Sequence, residues 1–141
     1  MTVTFPNFAS LDYDRGPIER RRYARPEGSL GMRPVDRNFL KRFTLGNRHL
    51  EREVLCLFAT QAPTYLAQLV AAQTAKEWHD AAHTLKGSAR SVGAWRVARA
   101  AESAEYLPFD TSADKRAFAL DAAQGAVSEA VRFIGDLFPD A

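Results

Sequence analysis

Cysteine, apolar runs and nucleotide-binding motifs are all scarce in this sequence. Among its 141 residues Cys56 is the one cysteine, so no disulfide can form within the chain, which favours a reducing compartment. No apolar run approaches the ~18 residues of a membrane-spanning helix, and the first residues lack the pattern of a secretory signal. No G-x-x-x-x-G-K-[ST] phosphate loop is present. We therefore expect a cytoplasmic protein with no membrane partner and no ATP site.

An excess of one charge sign is also missing from most of the chain. Residues 1–33 carry six arginines and four acids, whereas residues 34–141 carry thirteen of each sign and are neutral. Nucleic-acid-binding domains usually have a dense basic face, so we expect no nucleic-acid partner. Residues 1–33 also contain three prolines and three glycines without sustained periodicity, which predicts an irregular N-terminal arm.

Residues 34–141 contain no segment that alternates like a strand, and their apolar residues recur at helical spacing. Capping and breaking residues predict the helix boundaries: Asp36, Asn47, Thr74 and Ser112 at helix starts, and Gly46, Gly93 and Pro108 at helix ends. Because the connections are short, neighbouring helices should be antiparallel. The prediction is an all-α domain, an up-and-down antiparallel four-helix bundle with a short extra N-terminal helix. Four helices suffice to close a core, which favours a monomer.

The second predicted helix covers "HLEREVLCLFATQAPTYLAQLVAA". Pro63 inside it should kink or restart the helix, because proline removes a backbone donor and clashes with the preceding turn. Cys56 lies in an apolar setting and is predicted to be a small core residue. The residues predicted near the apolar stripe are Leu50, Val54, Leu57, Phe58 and Tyr65.

The third predicted helix carries "WHDAAHTLKGSAR", with His79 and His83 four residues apart. At about 100° per residue, the polar positions within roughly 60° of His83 are Lys76, His79, Lys86, Gly87 and Arg90. The opposite side, expected to face the core, carries Trp78, Ala81, Leu85, Ala89 and Val92. His83 should therefore lie at the centre of an exposed, cationic face.

This face combines a nucleophile, access and positive charge. A neutral imidazole is a good nucleophile near neutral pH. Gly87 lies one turn from His83 although glycine costs ~1 kcal/mol against alanine within a helix, so it should leave room for another molecule. Lys76, Lys86 and Arg90 should attract an anion. Together these features predict a histidine that accepts a phosphoryl group.

The stretch "AHTLKGSARSVGA" resembles the signature H-x-L-K-G-S-[SA]-x-x-x-G of histidine-containing phosphotransfer (HPt) domains. Seven positions match in residue and spacing: His83, Leu85, Lys86, Gly87, Ser88, Ala89 and Gly93. The resemblance extends over about residues 34–141 and does not cover residues 1–33. It implies a helical phosphocarrier, without kinase activity of its own, that relays a phosphoryl group between receiver-domain aspartates of a hybrid histidine kinase and a response regulator.

The resemblance also implies roles for individual residues. His83 would be phosphorylated, Lys86 would stabilise the phosphoryl group, and Gly87 would leave room for the receiver. No cofactor or metal is expected on this chain, because Mg²⁺ belongs to the partner receiver domain. The receiver should also dock on the second helix, at the residues that counting places opposite His83: Ala59, Ala62, Pro63 and Tyr65.

One feature departs from the family pattern. In several members a glutamine from the following helix forms a hydrogen bond near the histidine, whereas antiparallel pairing about Gly93 here puts Ala104 or Glu105 opposite His83. Glu105 would either accept a hydrogen bond from the second ring nitrogen, which fixes the tautomer, or remain solvated. Arg90, His79 and Lys76 are further candidates for an orienting or electrostatic role.

Two alternative functions remain open on the sequence. "HDAAH" differs from the metalloprotease motif H-E-x-x-H by Asp80, and Glu102 is a candidate third zinc ligand after His79 and His83. Asp80 is one methylene short, and the nearby cations would repel a dication. The second alternative is a module that docks kinases or receivers without carrying phosphate, although an adaptor has no need of the nucleophile His83.

Overall fold

The computed structural model describes residues 33–140, and within that range the protein is all-helical, without strands. Five helices follow one another in the described part of the chain: α1 (Arg37–Thr44), α2 (Arg48–Ala71), α3 (Ala75–Val92), α4 (Trp95–Tyr106) and α5 (Ala113–Leu137). The predicted all-α class and the short extra first helix are thus confirmed. The predicted arm, residues 1–33, lies outside the described residues except for Arg33.

All four predicted helix starts are confirmed, and each is capped by a side-chain oxygen. The donors are backbone amides three residues on, at Phe39 (3.1 Å), Leu50 (3.1 Å), Glu77 (3.1 Å) and Lys115 (3.3 Å). Such caps satisfy amides that have no partner within the helix. At the start of α3 the Glu77 carboxylate accepts a hydrogen bond from the amide of Gln73 (2.8 Å), so two side chains fix this end.

Gly93 ends α3 as predicted, in a left-handed conformation (φ 78°). A Cβ at this position would lie 2.8 Å from the backbone oxygen of Asp36, so the position also requires a residue without a side chain. The amide of Asp36 donates to the Gly93 carbonyl (2.8 Å), which ties the start of α1 to the α3–α4 turn. The first helix ends at Thr44, and both Leu45 (φ 52°) and the predicted stop Gly46 (φ 78°) are in the left-handed region.

The second helix runs through Pro63 without a break, so of the two predicted effects, a kink or a restart, the restart does not occur. Its buried stripe is Leu55, Phe58, Ala62, Leu66 and Leu69, whereas four of the five predicted stripe residues are only partly buried. Within residues 33–140, α2 is the one helix whose length and apolar composition would allow it to cross a membrane. A core helix of a soluble protein meets the same test, so this is weak evidence for a membrane span.

Two apolar clusters form the core, and α3 contributes to both. Leu85, Ala89 and Val92 belong to the larger cluster, while Trp78 packs in the smaller one with Leu69. α3 lies against α2 on one side and α4 on the other, and α5 packs against α2 and α4. Buried Trp78 donates from Nε1 to the carbonyl oxygen of Ala104 (2.7 Å), which fixes the end of α4 beside the start of α3. This contact fixes the position of α4 along the axis of α3, and therefore which α4 side chains meet the polar face of α3.

Candidate functional site

His83 lies in the middle of α3 with 28% of its side chain exposed. Its Nδ1 is 2.7 Å from Oε2 of Glu105, in the last turn of α4. The contact is the one expected if Glu105 rather than Ala104 faces the histidine; the Ala104 carbonyl instead accepts from Trp78. A carboxylate acceptor on Nδ1 favours the tautomer with the proton on that nitrogen and the lone pair on Nε2.

Lys86 does not lie on the exposed face, and the sequence-based expectation for it is wrong. Its side chain is 0% exposed, and its ammonium group donates to Oε1 of Glu105, whose own side chain is 3% exposed. Burial lowers the pKa of Lys86, and the hydrogen bond to Glu105 opposes this effect. The helical wheel gives the angular position of Lys86 on α3, but it contains no information about α4. The Glu105 carboxylate on α4 attracts the ammonium group of Lys86 toward the interior.

Gly87 is also buried, contrary to its predicted place on the exposed face, and that it leaves room for a receiver stays a prediction. α3 packs against both α2 and α4, and the buried Lys86 is directed to α4, where it meets Glu105. The exposed strip of this face includes Lys76, His79 and part of His83.

The remaining predicted cations are paired with carboxylates. Lys76 Nζ lies 2.6 Å from Asp80 Oδ2, and Arg90 Nη2 lies 2.6 Å from Glu102 Oε2. The hydrogen bond between Lys76 and Asp80 raises the pKa of the lysine and lowers that of the carboxyl group. The positive charge expected around His83 is therefore largely offset by acids on α3 and α4.

His79 stacks on His83, with ring centroids 5.7 Å apart and planes inclined by 19°. Its Nε2 lies 3.5 Å from Glu105 Oε2, the oxygen that also meets His83. The ligand atoms of these three residues all lie within 4.8 Å of one another, an arrangement that can hold a metal ion. Glu102, the third ligand considered from the sequence, is paired with Arg90 instead.

The predicted docking residues on α2 divide into exposed and buried positions. Pro63 is exposed, Ala59 and Tyr65 are partly buried against the larger core cluster, and Ala62 is fully buried. Ala62 is therefore wrong as a surface residue, because it continues the core stripe of α2. The sequence analysis missed Tyr106, which is 66% exposed and whose ring centroid lies 5.4 Å from Lys86 Nζ. An aromatic residue at the exposed end of a helix, next to Glu105, was the available signal.

A shallow groove between α4 and α5 is separate from these groups. It is lined mainly by apolar atoms, and Phe118, an exposed aromatic residue, lies at its edge. It contains neither histidine nor the Glu105 carboxylate. The two histidines and the Glu105 carboxylate thus lie at the α3–α4 contact rather than in the groove.

Comparison with known proteins identifies a family. A family model described as the Hpt domain matches residues 53–132, more than half of the chain. The matched range includes all of α3 and α4, and therefore His83 and Glu105. No curated protein and no solved structure was found to match.

Proposed function

Because the chain belongs to the Hpt domain family, we propose that it carries a phosphoryl group in a two-component phosphorelay, with His83 as the phosphorylated residue. The donor is a receiver-domain aspartyl phosphate of a hybrid histidine kinase, and the final acceptor is an aspartate of a response regulator. The observation that carries this proposal is the 2.7 Å contact between Nδ1 of the partly exposed His83 and the buried Glu105 carboxylate. It leaves Nε2, on the opposite side of the ring, as the nucleophile.

The transfer step follows from this arrangement. The Nε2 lone pair attacks the phosphorus atom in line, the P–O bond to the aspartate breaks, and the carboxylate leaves with its electron pair. The new P–N bond makes the ring cationic, and Glu105 stabilises that charge through Nδ1–H. Transfer onward reverses these events at the second receiver. The Mg²⁺ ion that neutralises the phosphoryl oxygens is held by the receiver.

Lys86 acts through Glu105 in this proposal. Its ammonium group is buried and bonded to Oε1 of the carboxylate whose Oε2 meets His83. The pair therefore holds the carboxylate in one orientation, since a charged lysine and a charged glutamate are both costly to bury apart. This makes Lys86 a positioning residue, in place of the direct phosphoryl contact expected from the family resemblance.

The docking surface proposed for the receiver surrounds the exposed strip of α3. It includes Pro63 on α2 and Tyr106 at the end of α4, which are both exposed. Large aromatic side chains are enriched at protein interfaces, which supports a role for Tyr106.

We also propose a cytoplasmic monomer without nucleic-acid or membrane partners. The near-neutral charge of residues 34–141 supports this, as does a core closed by the chain's own helices. Contacts between the start of one helix and the end of an adjacent helix in the bundle support an up-and-down antiparallel order for α2–α5. Trp78 meets Ala104, Arg96 meets Glu129, and Arg48 lies over Phe138.

The proposal is tested by incubating the chain with phosphorylated receiver domains from the same genome and scoring label on His83. We expect label on the wild type and none on His83→Gln, with unchanged helical content in both. An exposed histidine on α2, His49, provides the matched control, and His49→Gln should accept label normally. Normal phosphate flow through His83→Gln would contradict the carrier function and favour a docking module.

A further inference from the structure

Three side chains at the α3–α4 contact supply the donor set of a transition-metal site. Glu105 Oε2 lies 2.7 Å from His83 Nδ1 and 3.5 Å from His79 Nε2. Two imidazoles and one carboxylate are typical ligands of zinc, which often keeps a fourth position for water. Two donors bound tetrahedrally to one zinc ion at about 2.0–2.1 Å lie roughly 3.3 Å apart. The 3.5 Å distance already fits, and the 2.7 Å distance must open by about half an ångström. The third distance, between the donor nitrogens of the two histidines, is at most 4.8 Å and must close by up to about 1.5 Å, which a turn of the exposed His79 ring supplies.

The three donors lie on two helices that pack against each other. His79 and His83 are one turn apart on α3, and their rings are already stacked. Glu105 is 3% exposed and comes from the neighbouring helix, so the site bridges two packed elements. Asp80 Oδ1 lies 3.7 Å from His79 Nδ1, on the nitrogen that would face away from the metal. Metal-binding histidines usually have a carboxylate on that side, because it orients the ring and raises its basicity.

The surrounding charges do not exclude a dication. Lys76 is bonded to Asp80, and Arg90 is bonded to Glu102. Lys86 is bonded to Oε1 of Glu105, whereas both histidines meet Oε2. The carboxylate can therefore keep its lysine partner on one oxygen and offer the other oxygen to a metal.

We propose that His79, His83 and Glu105 bind Zn²⁺, and that bound zinc prevents phosphorylation of His83. The second half of this inference rests on the proposed function. A neutral imidazole has one lone pair and one N–H. When zinc takes the lone pair of Nδ1, the ring proton resides on Nε2, which then has no lone pair with which to attack phosphorus. Zinc and the phosphoryl group thus exclude each other although they use opposite nitrogens of one ring.

The first experiment measures zinc binding to the unphosphorylated full chain by calorimetry. We expect one ion per chain, with affinity reduced at least about tenfold in His79→Ala, because even outer-shell changes cost that much. His49→Ala removes an exposed histidine that lies 3.1 Å from Glu53 and serves as the matched control, with affinity unchanged. Equal affinity in the wild type and His79→Ala would overturn the metal site.

The second experiment uses phosphoramidate, which phosphorylates histidine without a receiver or its Mg²⁺. The P–N bond of the reagent breaks, ammonia leaves, and a P–N bond forms to Nε2. Intact mass then gives the rate at which the chain gains one phosphoryl group. We expect zinc to slow this rate at least about tenfold in the wild type, a chelator to restore it, and Mg²⁺ to have no effect.

Each variant is compared with its own zinc-free rate, so a slower His79→Ala protein remains informative. We expect zinc to inhibit His79→Ala far less than the wild type. A zinc-saturated wild type that reacts at its zinc-free rate would overturn the exclusion between zinc and phosphate. Failure to phosphorylate without zinc would overturn both that exclusion and the proposed function, whereas the binding experiment decides the metal site independently.

Discussion

Glu105 Oε2 lies 2.7 Å from Nδ1 of His83, and the two residues come from different helices, 22 positions apart. The carboxylate is buried while the imidazole is partly exposed, so the Nδ1 side of the ring is held by a buried group. The reactivity proposed for His83 therefore depends on α4 as much as on α3. The first two predictions concern this dependence.

Glu105→Gln keeps the shape of the side chain but replaces a charged acceptor with a neutral one. A hydrogen bond to a charged group contributes about 1 kcal/mol more than a neutral one, so we expect transfer to slow by roughly fivefold to tenfold. The initial rate of label transfer from a phosphorylated receiver measures this. An unchanged rate would mean that the Glu105 charge has no role in the reaction.

Lys86→Met leaves the buried Glu105 without its cationic partner. Breaking a buried ion pair in this way should lower the free energy of unfolding by about 3 kcal/mol, and chemical denaturation measures it. The double variant with Glu105→Gln should recover much of this loss, since no uncompensated charge remains. If Lys86 positions Glu105, the maximal transfer rate of Lys86→Met falls while its apparent affinity for the receiver stays constant. A loss of affinity alone would contradict that role.

Trp78→Phe removes the hydrogen bond from the indole to the Ala104 carbonyl, which also accepts from the amide of Leu107 (3.2 Å). We expect a loss of about 1–2 kcal/mol in stability and slower transfer, because the bond fixes the turn that carries Glu105. Trp95→Phe is the matched control: it loses a similar bond, to Asp36 Oδ2 (3.0 Å). Its stability should fall comparably while its transfer rate is unchanged; equal slowing of both variants would point to a general effect of stability.

Gly93→Ala should destabilise the protein by at least about 2 kcal/mol, because it combines a left-handed backbone with a 2.8 Å approach to the Asp36 carbonyl. Gly125 lies within α5, where an added Cβ would meet nothing within 4 Å. Gly125→Ala should therefore stabilise the protein by about 0.5–1 kcal/mol. Thermal unfolding of the pair measures both changes, and a stable Gly93→Ala would show that the α3–α4 turn can adjust.

Helix ends were predictable from the sequence because their causes are local. Asp36, Asn47, Thr74 and Ser112 cap amides three residues away, so no knowledge of distant residues was needed. Glu105 was also predictable as a candidate, since a short turn after α3 limits which α4 residues can face His83. In both cases the geometry depends on residues that are close along the chain or joined by a short turn.

Burial on the reactive face was not predictable in the same way. The helical wheel assigned Lys86 and Gly87 to the solvent side, yet both are buried, and the Lys86 ammonium group donates to Glu105 on α4. Ala62 was assigned to a docking surface by counting along α2. The buried apolar stripe of α2 is displaced from the predicted stripe, and Ala62 lies in it. These errors share one cause: the pattern of a single helix gives angular positions, whereas burial depends on how far the neighbouring helices extend over them.

The membership of α3 in both apolar clusters has a consequence for motion. Segments exchange their amide hydrogens by local opening only where few buried contacts must be broken. α3 carries Trp78 in one cluster and Leu85 in the other, so it cannot detach without loosening the whole core. The amides around His83 should therefore exchange as slowly as global unfolding permits, which makes this segment of α3 among the last to open.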